Sequence, residues 1–223
     1  MKVCSKCIYD ENVFGINFDE NDVCNYCKQI DIFKNEYGTG TQLGKIKFDH
    51  IVNEIKLKNK NKKYNVIVGI SGGTDSSFML HLAIKVGLKP LAVHYDNTWN
   101  TAISSQNIKK MVTKLNVDLF TYVIDCKEQD EILKSFMKAG ICGVDAATDL
   151  AYAEVLYRVA HKFGVRYVFE GHSFQEEGVS PIGHSYTDGK FIESVVKKYS
   201  NTKLRSYPLM TFMSFLKWVV LLR

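Results

Sequence analysis

The sequence predicts an α/β fold, a Rossmann-like parallel sheet preceded by a small N-terminal cysteine module, and three observations carry that prediction. The apolar run Val66-Ile67-Val68-Gly69-Ile70 passes through a pair of glycines into a helix-like stretch. Beyond it, strand-like and helix-like segments alternate, which is the pattern of a parallel sheet covered on both faces. Four of the six cysteines fall in the first 27 residues as two C-x2-C pairs, setting that region apart from the alternating one. The 223 residues, 46% hydrophobic, suffice for one α/β core and an appendage. The expected organisation is a cysteine module over 1–45, a lysine-rich linker or helix over 46–63, and a catalytic domain over 64–223.

The chain opens with Cys4-x2-Cys7 and Cys24-x2-Cys27, with 16 residues between the pairs. Two such knuckles each present two thiolates to one tetrahedral ion, so a structural Zn²⁺ on Cys4, Cys7, Cys24 and Cys27 is expected, in the manner of a zinc ribbon. Disulfides compete for these residues but are disfavoured in a reducing cytosol; an iron–sulfur cluster is the weaker alternative. With the thiolates ionised and zinc bound, the formal charge of +5 falls to about +3. Lys6 and Lys28, beside the knuckles, are expected to offset the surplus negative charge of the site. A closed four-thiolate site leaves no open position for catalysis, and its binding energy, about 10–16 kcal/mol in zinc-finger peptides, would go into folding. Cys126 and Cys142 are too far apart to repeat the knuckle and are expected as ordinary buried thiols.

Met1-Lys2-Val3-Cys4 lacks the apolar core of a signal peptide, which points to a cytoplasmic protein. Lys56, Lys58, Lys60, Lys62 and Lys63 equal the whole positive excess, so the basicity is local and reads as a solvated linker rather than an RNA patch. A nucleic-acid partner is not expected.

The first strand, Val66–Ile70, leads to a helix over Ser76–Val86 that ends near Gly87. Pro90–Tyr95 is the second strand, and Ile103, Ile108, Met111, Val112 and Leu115 mark one face of a helix over Ala102–Leu115. Leu119–Ile124 is the third strand, helices near Glu128–Ala139 and Thr148–Phe163 follow, and Arg166–Phe169 is the fourth strand. The run from Leu209 to Arg223 reads as an amphipathic or buried helix, too short and interrupted to span a membrane.

Ser71-Gly72-Gly73-Thr74-Asp75-Ser76-Ser77 joins the first strand to its helix. A buried strand that ends in two glycines and opens a helix aims unpaired N–H groups and a positive helix end at one point, which suits a phosphate. The segment has neither the spacing and lysine of a Walker loop nor the glycines of a dinucleotide turn. Any glycine-rich turn of this kind packs well; Asp75 and Ser76 in register after a strand favour function. The pattern S-G-G-x-D-S resembles the PP-loop of the ATP pyrophosphatases, of the adenine nucleotide alpha hydrolase-like type. The resemblance implies that Ser71, Gly72, Gly73, Thr74, Asp75 and Ser76 bind ATP, with Ser71, Asp75 and Ser76 catalytic and Mg²⁺ as cofactor.

Ligands of open parallel sheets sit at the carboxyl ends of the strands. There the second strand presents His94, Asp96, Asn97 and Trp99, and the fourth presents Gly171 and His172. Asp96 suits the nucleotide or its metal, Trp99 a base or sugar, and the Gly171 backbone a phosphate. Turn formation explains Asp96 and Asn97 equally well, Trp99 also suits a core, and His172 an ordinary loop. Thr148 and Asp149 read either as sugar contacts or as helix caps.

Taken with the cysteine pairs and the S-G-G-x-D-S-S loop, two more blocks make the resemblance specific. Val93-His94-Tyr95-Asp96-Asn97-Thr98-Trp99-Asn100 is one; the other runs from Gly171-His172-Ser173-Phe174 through Glu177-Gly178-Val179-Ser180-Pro181-Ile182-Gly183 to Tyr186-Thr187-Asp188-Gly189. Together they resemble the N-acetyl sugar amidotransferases of bacterial surface-polysaccharide and flagellin-sugar biosynthesis. The resemblance implies ATP-dependent conversion of an acetamido to an acetamidino group on a nucleotide-linked or free N-acetyl sugar. It assigns ATP to His94, Asp96 and Gly171 as well as the loop, and the sugar to Asn97, Trp99, Thr148, Asp149, His172 and Glu177. The chain has no N-terminal catalytic cysteine and no G-x-C-x-G elbow, so ammonia is expected from a separate glutaminase with a barrel subunit, similar to the two subunits of imidazole glycerol phosphate synthase. A homodimer stays open. Members of that family run on further, so a C-terminally truncated domain is expected, and an inactive zinc-stabilised scaffold is one alternative. A PP-loop tRNA-thiolating enzyme is the other; the absence of a catalytic cysteine pair inside the domain and the G-H-S-F block count against it.

Overall fold

The computed structural model describes residues 1–181 and 187–221. Ile182, Gly183 and Tyr186 of the last sequence block, and Leu222 and Arg223 of the C-terminal run, lie outside the described residues. The chain divides into two compact units, Met1–Glu54 with 172–181 and Ile55–Gly171 with 187–221.

In the first unit, α1 spans Asn25–Tyr37 and ends at Gly38, whose φ of 67° is the left-handed conformation that glycine adopts without strain. Then α2, Gln42–Lys58, crosses into the second unit. The boundary expected at residue 45 therefore falls inside a helix. The stretch expected as a lysine-rich linker or helix is helical as far as Lys58 and held by specific contacts beyond it. Lys56 and Lys58 lie in the last turn of α2, where cations oppose the negative end of the helix dipole. Asn59 is buried, with its Nδ2 donating to the Ile55 carbonyl at 2.9 Å. Lys62 Nζ donates to the Gly164 carbonyl, and Lys63 Nζ pairs with Asp118 at 2.9 Å.

The second unit holds a four-stranded parallel sheet: β1 Val66–Gly69, β2 Pro90–Asp96, β3 Leu119–Val123 and β4 Val168–Phe169, in the order β3-β2-β1-β4. This is the predicted α/β architecture. The helices are α3 Thr74–Lys85, α4 Ala102–Leu115, α5 Cys126–Lys138, α6 Ala146–Phe163, α7 Gly189–Tyr199 and α8 Phe212–Leu221. Central strands β1 and β2 are buried almost throughout, as continuous apolar runs should be. Alternate residues Ile67, Leu91, Val93 and Tyr95 turn toward a core formed with Ile132 and Phe136 of α5, Val155 and Val159 of α6, and Ile192 and Val196 of α7. α3 packs on β1 and β2 and against α4, burying Leu80 and Ala83 completely.

Coverage on both faces does not extend to the edge. In β3, Leu119, Thr121 and Val123 are exposed while Phe120 and Tyr122 are half-buried, because an edge strand meets helices on one side only. Cys126 and Cys142 are exposed, against expectation. Cys126 is the first residue of α5 and Cys142 lies in the connection to α6, where no preceding turn covers either. α6 also begins at Ala146, two residues before the expected start, so Thr148 and Asp149 lie in its first turn and neither caps it. No helix among the described residues is long and apolar enough to cross a membrane.

Candidate active site and metal centre

In the second unit, the β1–α3 turn forms a ring of small polar groups. The Ser76 hydroxyl accepts from Ser71 N–H at 3.2 Å and lies 3.3 Å from the Ser71 hydroxyl. Gly73 N–H donates to Ser71 Oγ at 3.4 Å, and the Ser77 hydroxyl donates to the Gly73 carbonyl at 2.6 Å. Gly73 is the N-cap of α3 and, being glycine, places no side chain over the first-turn N–H groups of Thr74, Asp75 and Ser76. Gly72 has φ +82°, and a Cβ on it would stand 2.4 Å from the Ser104 carbonyl oxygen, so only glycine fits. Asn107 Nδ2 donates to the Gly72 carbonyl at 3.2 Å; since a peptide's C=O and N–H point opposite ways, this bond directs the carbonyl toward α4. Ser104 and Asn107 belong to no sequence motif and were missed by sequence reasoning.

At the end of β4, a Cβ on Gly171 would meet the backbone of Asp75 and Ser76 at 3.3 Å, so Gly171 and the loop lie side by side. Gly69 is tighter still against Tyr152 of α6. Burial, followed by the charge of Glu170, pushes the Tyr152 phenol well above its usual range.

Past β2 the chain folds onto a single acceptor atom. Asp96 Oδ1 accepts from Thr98 N–H and from Asn100 Nδ2, both at 2.8 Å. The same Asn100 nitrogen lies 3.2 Å from His94 Nε2, and His94 Nδ1 lies 2.9 Å from the Ile70 carbonyl. A carbonyl only accepts, so Nδ1 carries the proton and Nε2 receives the amide hydrogen of Asn100. His94 is thus a buried brace between the ends of β1 and β2. Asp96 and Asn97 do act as turn residues, Asn97 Oδ1 accepting from Trp99 N–H at 3.0 Å. Trp99 is not core: it is 57% exposed, with its indole N–H on Asp130 at 3.1 Å. Thr98 has φ +67°, an uncommon conformation for a β-branched residue, held by the Asp96 bond.

Three hydroxyls near this edge are buried without a hydrogen-bond partner among the described residues: those of Tyr95, Thr98 and Thr148. Buried polar atoms are nearly always paired. Burial, then the charges of Tyr122, Asp145, Glu128 and Asp96, push the Tyr95 phenol up as well. Asp149 is exposed in the first turn of α6.

A strap from the C-terminal part closes the β3 end, and nothing local in the sequence announces it. Glu128, buried at the start of α5, accepts backbone N–H bonds of 2.9–3.1 Å from Arg205, Ser206 and Tyr207. Tyr122 donates its hydroxyl to the Ser206 carbonyl, and Tyr207 donates its own to the Ala147 carbonyl, each at 2.6 Å.

His172 and Glu177 lie in the first unit, where His172 Nδ1 approaches Glu177 Oε2 at 3.1 Å and both are exposed. That unit also gathers Cys4, Cys7, Cys24 and Cys27, whose sulfurs all lie within 4.8 Å of one another. Cys4 and Cys27 sulfurs are 3.9 Å apart, Cys7 and Cys24 3.8 Å. Four thiolates about 2.3 Å from one tetrahedral zinc have edges of about 3.8 Å, so the donor set fits such an ion. Backbone N–H groups of Lys6 and Cys24 point at Cys4 Sγ, and that of Cys27 at Cys24 Sγ, at 3.3–3.4 Å. Burial raises the Cys4 pKa, but these and other backbone bonds outweigh it and bring it down to about 6. Burial and the neighbouring thiols push Cys27 up. Lys6 and Lys28 are already paired with carboxylates, Asp31 at 2.8 Å and Asp19 at 2.9 Å, so they balance those aspartates before they balance the cysteines.

No protein-family model and no curated protein matches this chain. Among solved structures it is similar to the NH3-dependent NAD synthetase of Campylobacter jejuni, at 19% identity and a TM-score of 0.43, over 69% of this chain and 77% of that one. The NMN synthetase of Francisella tularensis is similar at 17% identity and a TM-score of 0.42, over 78% and 82%. The U34-tRNA thiolase NcsA of Methanococcus maripaludis, with its [4Fe-4S] cluster, is similar at 15% identity and 0.36, over 100% and 73%.

Proposed function

We propose that this chain is an ATP-dependent amidotransferase that adenylates the acetamido carbonyl of an N-acetyl sugar and replaces its oxygen with ammonia. The observation that carries the ATP half is the uncapped start of α3 behind the Ser71–Ser76 hydroxyl ring, a fixed set of donors with Gly171 beside it. The sugar half rests on the sequence block from Gly171 to Gly189.

An amide carbon is a weak electrophile and its oxygen a poor leaving group, so ammonia alone does not displace it. In the proposed reaction the carbonyl oxygen attacks the α-phosphorus of ATP and the bond to the β-phosphate breaks, releasing pyrophosphate. Ammonia then adds to the activated carbon, loses a proton, and the C–O bond breaks with AMP as leaving group, giving the acetamidine. Ser71, Ser76 and the first N–H groups of α3 hold the departing pyrophosphate, stabilising charge where it develops. Asp75, exposed in the first turn of α3, is the carboxylate suited to Mg²⁺, which would neutralise phosphate charge. Asp96 and His94 fix the edge on which the nucleoside lies, and Trp99, Asn97, Thr148 and Asp149 take the sugar. His172 and Glu177 are assigned to the sugar by the sequence resemblance alone.

The four cysteines hold one structural Zn²⁺ in this reading. Their separations suit a single tetrahedral ion, whereas the thiolates of an iron–sulfur cluster bind different irons and stand farther apart. Ammonia comes from a separate glutaminase with a barrel subunit.

The test is to supply ATP, Mg²⁺, ammonium at elevated pH and an acetamido-bearing nucleotide sugar. AMP, pyrophosphate and a sugar about one mass unit lighter are expected, since O is exchanged for NH. ADP and phosphate would overturn the PP-loop assignment; sulfur transferred to tRNA would replace the sugar reading with the thiolating one. Failure to bind ATP at all would favour an inactive scaffold.

A further inference from the structure

α8 is held by one side and bare on the other. Trp218 is buried; its indole N–H donates to Glu154 Oε2 at 2.7 Å and its ring lies 5.7 Å from that of His161. Glu154 is itself buried, with its other oxygen on Arg158 Nε at 2.8 Å, so the anchor is firm. At 3.6 residues per turn, Phe212, Met213, Phe215, Leu216, Val219 and Val220 fall together on an arc of about 160° away from Trp218. All six are exposed, from 38% at Val219 to 73% at Phe212, and none carries charge.

We infer that this stripe is a self-association surface, on which α8 of a second copy of the same chain packs about a two-fold axis. The exposed side chains amount to roughly 600 Å² per copy, a large contiguous apolar patch for a monomer to leave in water. Two copies would bury roughly 1,200 Å², the lower bound of specific protein interfaces. A two-fold contact brings the same patch against itself, which an uncharged stripe tolerates without like-charge repulsion. Lys217 stays out of the contact, its Nζ lying 4.8 Å from the Trp218 ring centre on the anchored side. A membrane surface is a poorer occupant, because a helix lying in a bilayer interface carries cations along its polar face, and Lys217 is the sole charge among the described residues of α8.

The test is sedimentation velocity of the full chain over roughly two decades of concentration. The native sequence is expected to dimerise reversibly, and Met213→Glu with Val220→Glu to weaken the dimer by about 100-fold or more, by burying carboxylates opposite one another. Both side chains are exposed, at 72% and 70%, so the fold should survive, which far-UV circular dichroism checks. Should the charged pair unfold the chain, Met213→Ser with Val220→Ser gives the same reading without charge. A monomer throughout the range, a dimer indifferent to these changes, or a monomer that sediments with anionic phospholipid vesicles would each overturn the inference.

Discussion

Gly69 and Tyr152 share a space that admits no methyl group: a Cβ on Gly69 would lie 1.5 Å from the Tyr152 hydroxyl oxygen. The contact ties the last residue of β1 to α6 directly before the phosphate loop begins. Gly69→Ala is therefore expected to destabilise the second unit by about 3 kcal/mol, through forced displacement of a half-buried ring packed on the core. Adding Tyr152→Ala should recover part of the loss. Chemical denaturation of the two variants measures both, and equal stability of Gly69→Ala and the native chain would refute the contact.

Ser71→Ala and Asp75→Ala should abolish pyrophosphate release while leaving thermal stability nearly unchanged. Both residues are exposed on the loop and neither supports the core. Asn107→Ala is expected to weaken ATP binding by about tenfold, since it frees the Gly72 carbonyl to turn toward the phosphates. Isothermal titration with ATP reads the last effect, and unchanged affinity would count against the peptide orientation described.

Metal analysis of the purified chain should find about one zinc per molecule. Cys4→Ser with Cys24→Ser should lose it, with the first unit unfolding, and a chelator should do the same to the native chain. Iron with a visible charge-transfer absorption would contradict the single-ion geometry.

Glu128→Gln should release the strap. An amide keeps one acceptor oxygen for the three backbone donors of Arg205, Ser206 and Tyr207 and adds an N–H that finds none, at a cost of about 2–4 kcal/mol. The expected signature is loss of hydrogen-exchange protection at those amides ahead of the sheet.

Tyr95→Phe is expected to move stability the other way. Its hydroxyl is buried with no partner among the described residues, so its removal should be neutral or stabilise by up to about 1 kcal/mol. Chemical denaturation measures the change, and a loss of more than about 1 kcal/mol would show that the hydroxyl has a partner after all.

The strands and the phosphate loop were legible because their signals are local: a continuous apolar run for β1 and β2, and glycines placed where a positive φ and a close approach demand them. The coverage expected of the edge strand fails because a run such as Leu119–Val123 does not reveal how many neighbours a strand has. Thr148 looked like a cap because its side chain is of the right kind, although Asp145 precedes it and the helix starts there. Asn107, Tyr152 and Glu128 were invisible for a common reason. Each acts on a segment 35 or more residues away, and a single sequence carries no mark of that pairing.

The Glu128 strap and the Trp218 anchor also set an order of events during synthesis. The groups that satisfy Glu128 and Glu154, the amides of 205–207 and the indole of Trp218, are synthesised 77 to 79 and 64 residues after them. Until then both carboxylates must stay hydrated, so α5 and α6 cannot settle fully onto the sheet. A nascent chain stalled before residue 205 should hold a loose, protease-sensitive domain with the phosphate loop already translated but its walls not yet fixed.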